Sequence, residues 1–581
     1  AAAVFSFGKA RALLHSSRYM LASLLLVAGL AASAFTLSGT SLESHASAGT
    51  PGLFTGPSDS ANHPFGAARG ILPGRVVWVH NPDATNAQCV VDSPGHGWVE
   101  SENMNQAAVD QMLSAALKSV TGEASDSASW GAIFRYHNGI RGKGAVGYVK
   151  GEKIFIKINA TSAMHVNPAD LTSTSYYGVS ETSMASVRAV LRQLVNVAGV
   201  AQGDIYIGDP MKHIYKHLYD TWHGEFPDVH YLDHDDYGSL GREKAVVSTT
   251  ARILYSDKRT VLPVSSDYLY AIFEQTEYVL NIPMLKGHQR AGMTMFAKNH
   301  FGSQAEAYAS QLHEGLVSPN GPGDQRRSGY GVYRVLVDML SHKLLSGKNL
   351  VYVMDALWST DWELDKPVKW QMSPFNNDYT SSLFVSLDPL AIESVGYDFL
   401  RSEFTAARGA DSSVQMSGVD DYLHQAADSA NWPRGIRYDP DNDGVCYASL
   451  GVHEHWNSAI DKKYSRNLGT GNGIELIDIE QSTPSHVIER ESVPEVFQLS
   501  QNYPNPFNPS TTIQLSLPNR QRTIVKVFDV SGRVVATLVD EVKEPGTYTV
   551  QFAGTNLASG VYIYRLQAGD FVTTKRLLLL K

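Results

Sequence analysis

Short β-rich runs alternate with helical patterns through most of this chain, and this alternation limits its fold more than any other feature. Runs rich in apolar and β-branched residues predict strands at 153–159, 204–209, 229–233, 278–285, 349–355 and 382–388. Apolar residues at helical spacing predict helices at 106–120, 183–198, 330–345 and 390–404. The alternation indicates an α/β core with a largely parallel sheet, which we place at residues 49–475.

The composition excludes several classes of protein. Of the 581 residues, 43% are hydrophobic and 18% are charged, which allows a large buried core and excludes a disordered chain. The net charge of −10 argues against nucleic acid as a partner. Cys89 and Cys446 are the only cysteines, too few for a four-thiolate iron–sulfur cluster. The sequence leaves open whether these two cysteines pair.

The first 48 residues have the pattern of a secretory signal. Lys9, Arg11 and Arg18 precede an apolar run at 21–34 that ends in small side chains. Cleavage after Ala34 or after Ala48 fits the small-residue rule equally well. The run is shorter than the roughly 20 apolar residues that span a bilayer, so we expect no transmembrane anchor in the mature form.

The C-terminal residues 493–581 have a different pattern. Apolar and polar residues alternate in short runs separated by turns such as Ser531-Gly532, which predicts a small all-β, immunoglobulin-like sandwich. Residues 476–492 show little periodicity and are interpreted as a linker.

Three ordered motifs in this segment, at 497–518, 527–535 and 557–569, resemble the C-terminal sorting domain of type IX (Por) secretion cargo. The resemblance implies export across the outer membrane of a Bacteroidetes-type bacterium, with the type IX machinery as partner. It implies a secreted or cell-surface location and indicates no activity.

Polar side chains end the predicted strands of the core. Open α/β sheets bind ligands beyond the carboxyl ends of their strands, so Asp209, Asp355 and Asp388 are candidate metal ligands. The alternative is that these residues form turns and helix caps, as Asp388 before Pro389 could.

The densest polar stretch lies at 285–303, where a basic set of residues follows a predicted strand. Lysines there could hold a carboxylate or phosphate, and a histidine could move a proton or bind a metal. The alternative is internal packing of the histidines and solvation of the cations. The candidate active residues are Lys286, His288, Lys298, Asn299 and His300.

The KGH and KNHFG motifs of this stretch, with segments 278–283, 349–357 and 384–400, resemble the DUF362 family, whose members are uncharacterised. The resemblance covers roughly residues 70–460 and implies a fold and a site location. Some relatives carry ferredoxin-type cysteine clusters. This sequence has no such cluster, so we expect no iron–sulfur cofactor.

A calcium-like loop follows at DPDNDG. Asp439, Asp441 and Asp443 alternate before Gly444, as in the first half of an EF-hand loop, but the twelfth position is Leu450. The alternatives are a calcium site completed from elsewhere and a solvated acidic turn. Two further patches, at 230–236 and at His453-Glu454-His455, lack the spacing of a helical zinc motif.

These features favour an exported protein that binds an anionic small molecule in an α/β crevice. A second form of this hypothesis adds a divalent metal that binds in the same crevice. The alternative function is a non-catalytic surface, adhesion or matrix protein with a structural calcium site. The sequence leaves open whether the protein is an enzyme.

Overall fold

The computed structural model describes residues 57, 59–174, 178–321, 323–405, 418–481, 497–502, 505–543, 546–569 and 571–581. The predicted leader at 1–48 lies outside the described residues, as do residues 482–492 of the predicted linker. We call residues 59–481 the core domain and residues 497–581 the tail domain. Among the described helices, none is long and apolar enough to cross a bilayer.

The strands of the core domain are, in chain order, β1 (Phe65–Gly66), β2 (Arg75–His80), β3 (Ile154–Ile158), β4 (Ile205–Gly208), β5 (His230–Asp233), β6 (Glu243–Lys244), β7 (Val247–Leu254), β8 (Ser266–Tyr270), β9 (Tyr278–Ile282), β10 (Met284–His288), β11 (Gly292–Thr294), β12 (Tyr352–Thr360), β13 (Ser382–Ser386), β14 (Val452–His453) and β15 (Glu475–Glu480). The α-helices are α1 (Gln106–Thr121), α2 (Asp126–Ile140), α3 (Met184–Arg192), α4 (Lys216–Glu225), α5 (Ile272–Gln275), α6 (Phe296–Asn299), α7 (Val335–Ser341), α8 (Pro389–Glu403), α9 (Gly418–Ala427) and α10 (Ser465–Leu468).

Two larger sheets form the frame of the core domain. One is parallel throughout, with strand order β6-β5-β4-β3-β9. The other has the order β11-β10-β12-β13-β2-β15 and mixes parallel with antiparallel pairs. The predicted α/β core with a parallel sheet is therefore confirmed, and the second sheet is mixed.

Strand β2 shows why the sequence of these strands is nearly all apolar. Val76 and Trp78 pack into one hydrophobic cluster, whereas Val77 and Val79 pack into a second cluster on the other face. Successive side chains point to opposite faces of a strand, so a strand covered on both faces needs an unbroken apolar run.

The predicted helix at 330–345 is shorter in the structure, as α7. Gly329 and Gly331 adopt positive φ, and Arg334 is extended, so helical geometry begins only at Val335. His342 is extended and ends the helix after Ser341. Periodicity alone did not reveal these two boundaries.

The tail domain is all β. Its strands are β16 (Gln498–Leu499), β17 (Ser510–Leu517), β18 (Gln521–Phe528), β19 (Val534–Lys543), β20 (Gly546–Ala553), β21 (Gly560–Ala568) and β22 (Phe571–Leu579). They form two antiparallel sheets, of order β16-β17-β20 and β19-β18-β21-β22. Residues such as Ile513, Val525 and Tyr564 give this domain a hydrophobic core of its own.

The boundary between core and linker differs from the sequence prediction. Residues Glu475–Glu480 form β15, which pairs with β2 along its whole length, so the predicted linker at 476–492 begins inside a core strand. The reason is that ELIDIE alternates like an edge strand with only one face covered, a pattern too short to stand out.

Both cysteines are free thiols.

Candidate functional site

A cleft of about 440 Å³ opens beyond the carboxyl ends of β3 and β4. Asn159 and Asp209 follow those two strands, His288 ends β10, and Lys298 and Asn299 lie on the short helix α6. Of the sequence-predicted residues, the structure brings Asp209, His288, Lys298 and Asn299 together around one opening. This is the position at which parallel α/β sheets bind ligands.

A buried lysine on β3, Lys157, lies against Asp209 and Asn299, which line the cleft. Its Nζ lies 3.1 Å from Asp209 Oδ2 and donates hydrogen bonds to the carbonyl of Ile158 at 2.7 Å and to Asn299 Oδ1 at 3.3 Å. Burial lowers the pKa of Lys157, and the carboxylate of Asp209 opposes that shift. The sequence analysis missed Lys157, although a lysine inside the apolar run IFIKI was a usable signal.

The carboxylate of Asp209 has one oxygen bound and one oxygen free. Lys157 takes Oδ2, whereas no described residue donates a hydrogen bond to the buried Oδ1. Gly302 lies directly against this oxygen, because a Cβ at that position would overlap Oδ1. The glycine of the KNHFG motif is therefore a steric requirement of the site.

Lys298 presents its ammonium to the cleft. Its Nζ lies 4.0 Å from the centroid of the Phe301 ring, and no described residue accepts a hydrogen bond from it. Burial lowers the pKa of Lys298 to about 7, the Glu363 carboxylate opposes that shift, and the nearby cations Lys212 and Lys286 add to it. At neutral pH this group is poised between its charged and its neutral form.

Lys286 lies behind the cleft and is fully occupied. Its ammonium donates to the carbonyl of Ser180, to Thr161 Oγ1 at 3.2 Å and to the carbonyl of Glu363 at 3.0 Å. Burial lowers its pKa to about 8. These bonds tie three loops together, which makes Lys286 a positioning group in this structure.

The two predicted histidines hold different positions. His288 Nδ1 accepts hydrogen bonds from the main-chain amides of Arg290 at 3.1 Å and Ala291 at 3.3 Å, so its proton resides on Nε2. Burial and neighbouring cations hold its pKa well below the ordinary value. His300 is buried away from the cleft lining, where Asn281 Nδ2 lies 3.1 Å from its Nε2, and burial lowers its pKa to about 3.

Further residues of the cleft were not singled out by the sequence analysis. Lys212 donates to the carbonyl of Thr161 at 3.0 Å, and Glu363 Oε2 accepts from the amide of Gln289 at 2.8 Å. His313 also lines the cleft, and burial lowers its pKa to about 3. Lys212 follows a predicted strand end by three residues, which was a signal. Glu363 comes from a loop and His313 from the 3-10 helix Ala307–Gly315, and neither is marked by a sequence pattern.

Asp355 and Asp388 lie elsewhere and bind main-chain amides. Asp355 Oδ2 accepts from the amide of Ser183 at 2.7 Å, at the start of α3. Asp388 caps α8, where its Oδ1 accepts from the amides of Leu390 and Ala391, both at 3.0 Å. The structure therefore separates these two carboxylates from Asp209, and the capping alternative describes their positions.

The acids of the calcium-like loop are engaged by neighbouring groups. Asp439 accepts from the amides of Asp443 at 3.2 Å and Gly444 at 3.0 Å, within its own loop. Asp441 accepts from the amide of Lys343 at 3.2 Å, and the Lys343 ammonium pairs with Asp443. A lysine thus supplies positive charge to this loop, and calcium binding there stays a prediction.

The groups of the described residues that could hold a metal lie around His453. One group is Asp59, His424 and His453, and the other is Asp420, His453 and His455. The sequence analysis noted the His453-Glu454-His455 patch but could not supply its partners, which lie 29 or more positions away in the chain.

Comparison with known families finds one match in the core domain and one in the tail domain. Residues 155–398 match the model described as a domain of unknown function, DUF362, and residues 501–580 match the secretion system C-terminal sorting domain. The chain thus joins a segment that matches DUF362 to a tail that matches the type IX sorting domain. The DUF362 match includes Lys157 and every cleft residue described above, from Asn159 to Glu363.

Solved structures resemble only short parts of this chain. PorZ, a surface component of the type IX secretion system of Porphyromonas gingivalis, is 21% identical over 16% of this chain and 13% of its own, with a TM-score of 0.12. Latent PorU of the same organism is 14% identical over 18% of this chain and 10% of its own, with a TM-score of 0.13. The Ig1 domain of mouse SynCAM 2 is 10% identical over 12% of this chain and 80% of its own, with a TM-score of 0.10. No curated protein matches the chain.

Proposed function

We propose that the DUF362 domain binds a small hydroxylated anion in the cleft of Asp209 and Lys298, after export by way of the sorting tail. The signal peptide at 1–48 and an immunoglobulin-like arrangement of the tail sheets belong to this proposal. The observation that carries it is the Lys298 ammonium, which lines the cleft and has no hydrogen-bond acceptor among the described residues.

An ammonium held in a partly buried site gains from an anionic partner. Leaving such a charge without hydrogen bonds is costly, and the face of the Phe301 ring replaces only part of the lost hydration. A carboxylate or phosphate would supply charge-assisted hydrogen bonds to Lys298, with Arg290 and Lys212 beside it. Lys157 already neutralises Asp209, so that carboxylate does not cancel the attraction.

Two unpartnered oxygens indicate what else the ligand carries. Asp209 Oδ1 and Thr294 Oγ1 are both buried, and among the described residues neither has a hydrogen-bond partner. Both residues line the cleft. A ligand hydroxyl would donate to Asp209 and accept from Thr294, which favours a hydroxy acid or a sugar phosphate over a simple anion.

The pKa of Lys298 gives the pH dependence of binding. With a pKa of about 7, the ammonium is charged below neutral pH and loses its charge above it. Affinity for an anion should therefore fall as the pH rises from about 6 to about 9. A neutral lysine at the upper end of that range could take a proton from a bound ligand.

The test is calorimetric titration of the purified protein with malate, succinate and inorganic phosphate. We expect malate to bind more tightly than succinate, which lacks the hydroxyl. Lys298→Met should weaken malate binding by about 10- to 100-fold, the value of a hydrogen bond to a charged group, and should flatten the pH dependence. Lys366→Met removes an exposed cation paired with Asp92 and should leave binding unchanged.

Equal malate affinity in the Lys298→Met and wild-type proteins would contradict the proposal. Absence of binding for all three anions would contradict it as well, and would favour the non-catalytic surface protein.

A further inference from the structure

We propose a second site, independent of the cleft, in which His424, His453, His455 and Asp59 bind one divalent transition metal ion. His424 lies on α9, His453 ends β14, His455 follows two positions later, and Asp59 lies in the segment that precedes β1. They all fall outside residues 155–398, so the DUF362 match does not cover this site.

Two structural elements bring the three histidines together, because side chains repeat at fixed spacings along a helix and along extended chain. Helix α9 carries Asp420 and His424 four positions apart, on one helical face. His453 and His455 are two positions apart in extended chain and project to the same side, whereas Glu454 between them binds Ser465 and Ile474. The rings of His424 and His453 are nearly perpendicular at 4.7 Å, as are those of His453 and His455 at 4.9 Å.

Each histidine is oriented by an acceptor at its Nδ1. His424 Nδ1 lies 2.8 Å from the carbonyl of Asp420, and His455 Nδ1 lies 2.8 Å from Asp398 Oδ1. Both partners can only accept, so both Nδ1 atoms carry protons. The Nε2 atoms are left as the ligating atoms, as in the carboxylate–histidine–metal arrangement.

His453 is oriented in the same way, and its acceptor is a serine hydroxyl. Its Nδ1 lies 2.8 Å from Ser394 Oγ, and that hydroxyl donates its own proton to the carbonyl of Leu390 at 2.7 Å. Ser394 Oγ therefore accepts from His453 Nδ1–H, which leaves a lone pair on Nε2. Nε2 of His453 is fully buried and has no hydrogen-bond partner among the described residues. A metal ion would satisfy it.

The candidate ligand atoms lie close together in two overlapping groups that share His453. His424 Nε2 is 2.9 Å and His455 Nε2 is 3.8 Å from Asp59 Oδ1, and the ligand atoms of Asp59, His424 and His453 all lie within 4.8 Å of one another. Bonds of about 2.0–2.1 Å in a tetrahedral zinc site place neighbouring ligand atoms about 3.3 Å apart. Small side-chain movements would close the set around one ion.

The surrounding charges favour a cation. Asp420 Oδ1 lies 3.2 Å from His455 Nε2, and Asp398 and Asp59 add two further carboxylates.

The ligand chemistry identifies the class of metal. Three imidazole nitrogens and one carboxylate suit zinc and other first-row transition ions, whereas calcium takes oxygen ligands. The Asp59 side chain is 26% exposed, which gives an ion a path to the site from solvent.

The experiment uses the full chain, stripped with a chelator and titrated with Zn²⁺ by calorimetry, with Co²⁺ absorption as a second readout. We expect one Zn²⁺ per chain and a Co²⁺ spectrum of low coordination number. His453→Ala should abolish both signals. Ser394→Ala removes the acceptor that orients His453 and keeps all four ligands, so it should weaken Zn²⁺ binding by about 10- to 100-fold.

Two further variants test whether a loss of Zn²⁺ binding comes from the loss of a ligand or from unfolding. Asp59→Asn alters a partly exposed ligand, so it should retain the wild-type thermal midpoint while weakening Zn²⁺ binding. His96→Ala removes an exposed histidine paired with Glu102 and should bind Zn²⁺ as the wild type does. The proposal fails if the wild type takes up no Zn²⁺ or if Asp59→Asn binds it with unchanged affinity.

Discussion

At the scale of single residues, the cleft depends on a close fit between Gly302 and Asp209. The glycine lies against the free carboxylate oxygen, where any Cβ would collide with it. Gly302 does not have positive φ, so its requirement comes from packing rather than from backbone freedom. A substitution at Gly302 therefore tests side-chain packing against Asp209 and does not test backbone conformation.

We predict that Gly302→Ala lowers the free energy of unfolding by about 1–3 kcal/mol, because an added methyl group overfills the buried site. Urea unfolding measures the change. Gly139→Ala is the matched control, since Gly139 lies in α2 with no atom near its missing Cβ, and alanine there should raise stability by about 0.5–1 kcal/mol. Equal unfolding midpoints for wild type and Gly302→Ala would contradict this account.

The sequence identified part of the cleft and left part of it hidden. Asp209, His288, Lys298 and Asn299 were found because strand ends and the dense polar stretch mark them. Glu363 was not, because its contact with the amide of Gln289 joins residues 74 positions apart. Short-range pattern carries no information about such pairs.

At the scale of elements, alternation predicted the parallel sheet but not the order of the mixed sheet. Strand β2 near the start of the core pairs with β13 and with β15 at the end of the core. Helix α2 was also missed, because its apolar face is broken by Ser129, His137 and Asn138, which are buried polar residues.

We predict that the edge strand β15 is needed for core stability. A protein ending at residue 474 should unfold with a free energy lower by at least about 2 kcal/mol than one ending at residue 481, because it loses the buried Leu476 and a strand pairing. Chemical denaturation followed by tryptophan fluorescence measures this difference. The two truncations having the same midpoint would show that β15 is dispensable.

At the scale of the whole molecule, the core and the tail each have a hydrophobic core of their own. The sorting tail implies secretion or export to the cell surface. The sequence predicts a division from the change in pattern at residue 493, and the tail motifs indicate type IX export. The activity of the core could not be identified in this way, because a shared family pattern indicates a fold and not a ligand.

We predict that deletion of residues 497–581 stops the protein in the periplasm of a bacterium with a type IX system. Cell fractionation and immunoblotting follow its location. Lys298→Met is the matched control, because it alters the cleft and leaves the tail intact, and it should be exported normally. Recovery of the tail-deleted protein outside the cell would contradict the role of the tail.

The parallel pairing of β2 with β15 also has a mechanical consequence. The first of these strands lies near the beginning of the core and the second lies at its end, and both run in the same direction. A force that pulls the two chain ends apart slides these strands along each other, so it loads all their hydrogen bonds at once instead of peeling them singly. A pulling force applied at the C-terminal end of the core would therefore act on this shear-resistant strand pair before it acted on the cleft.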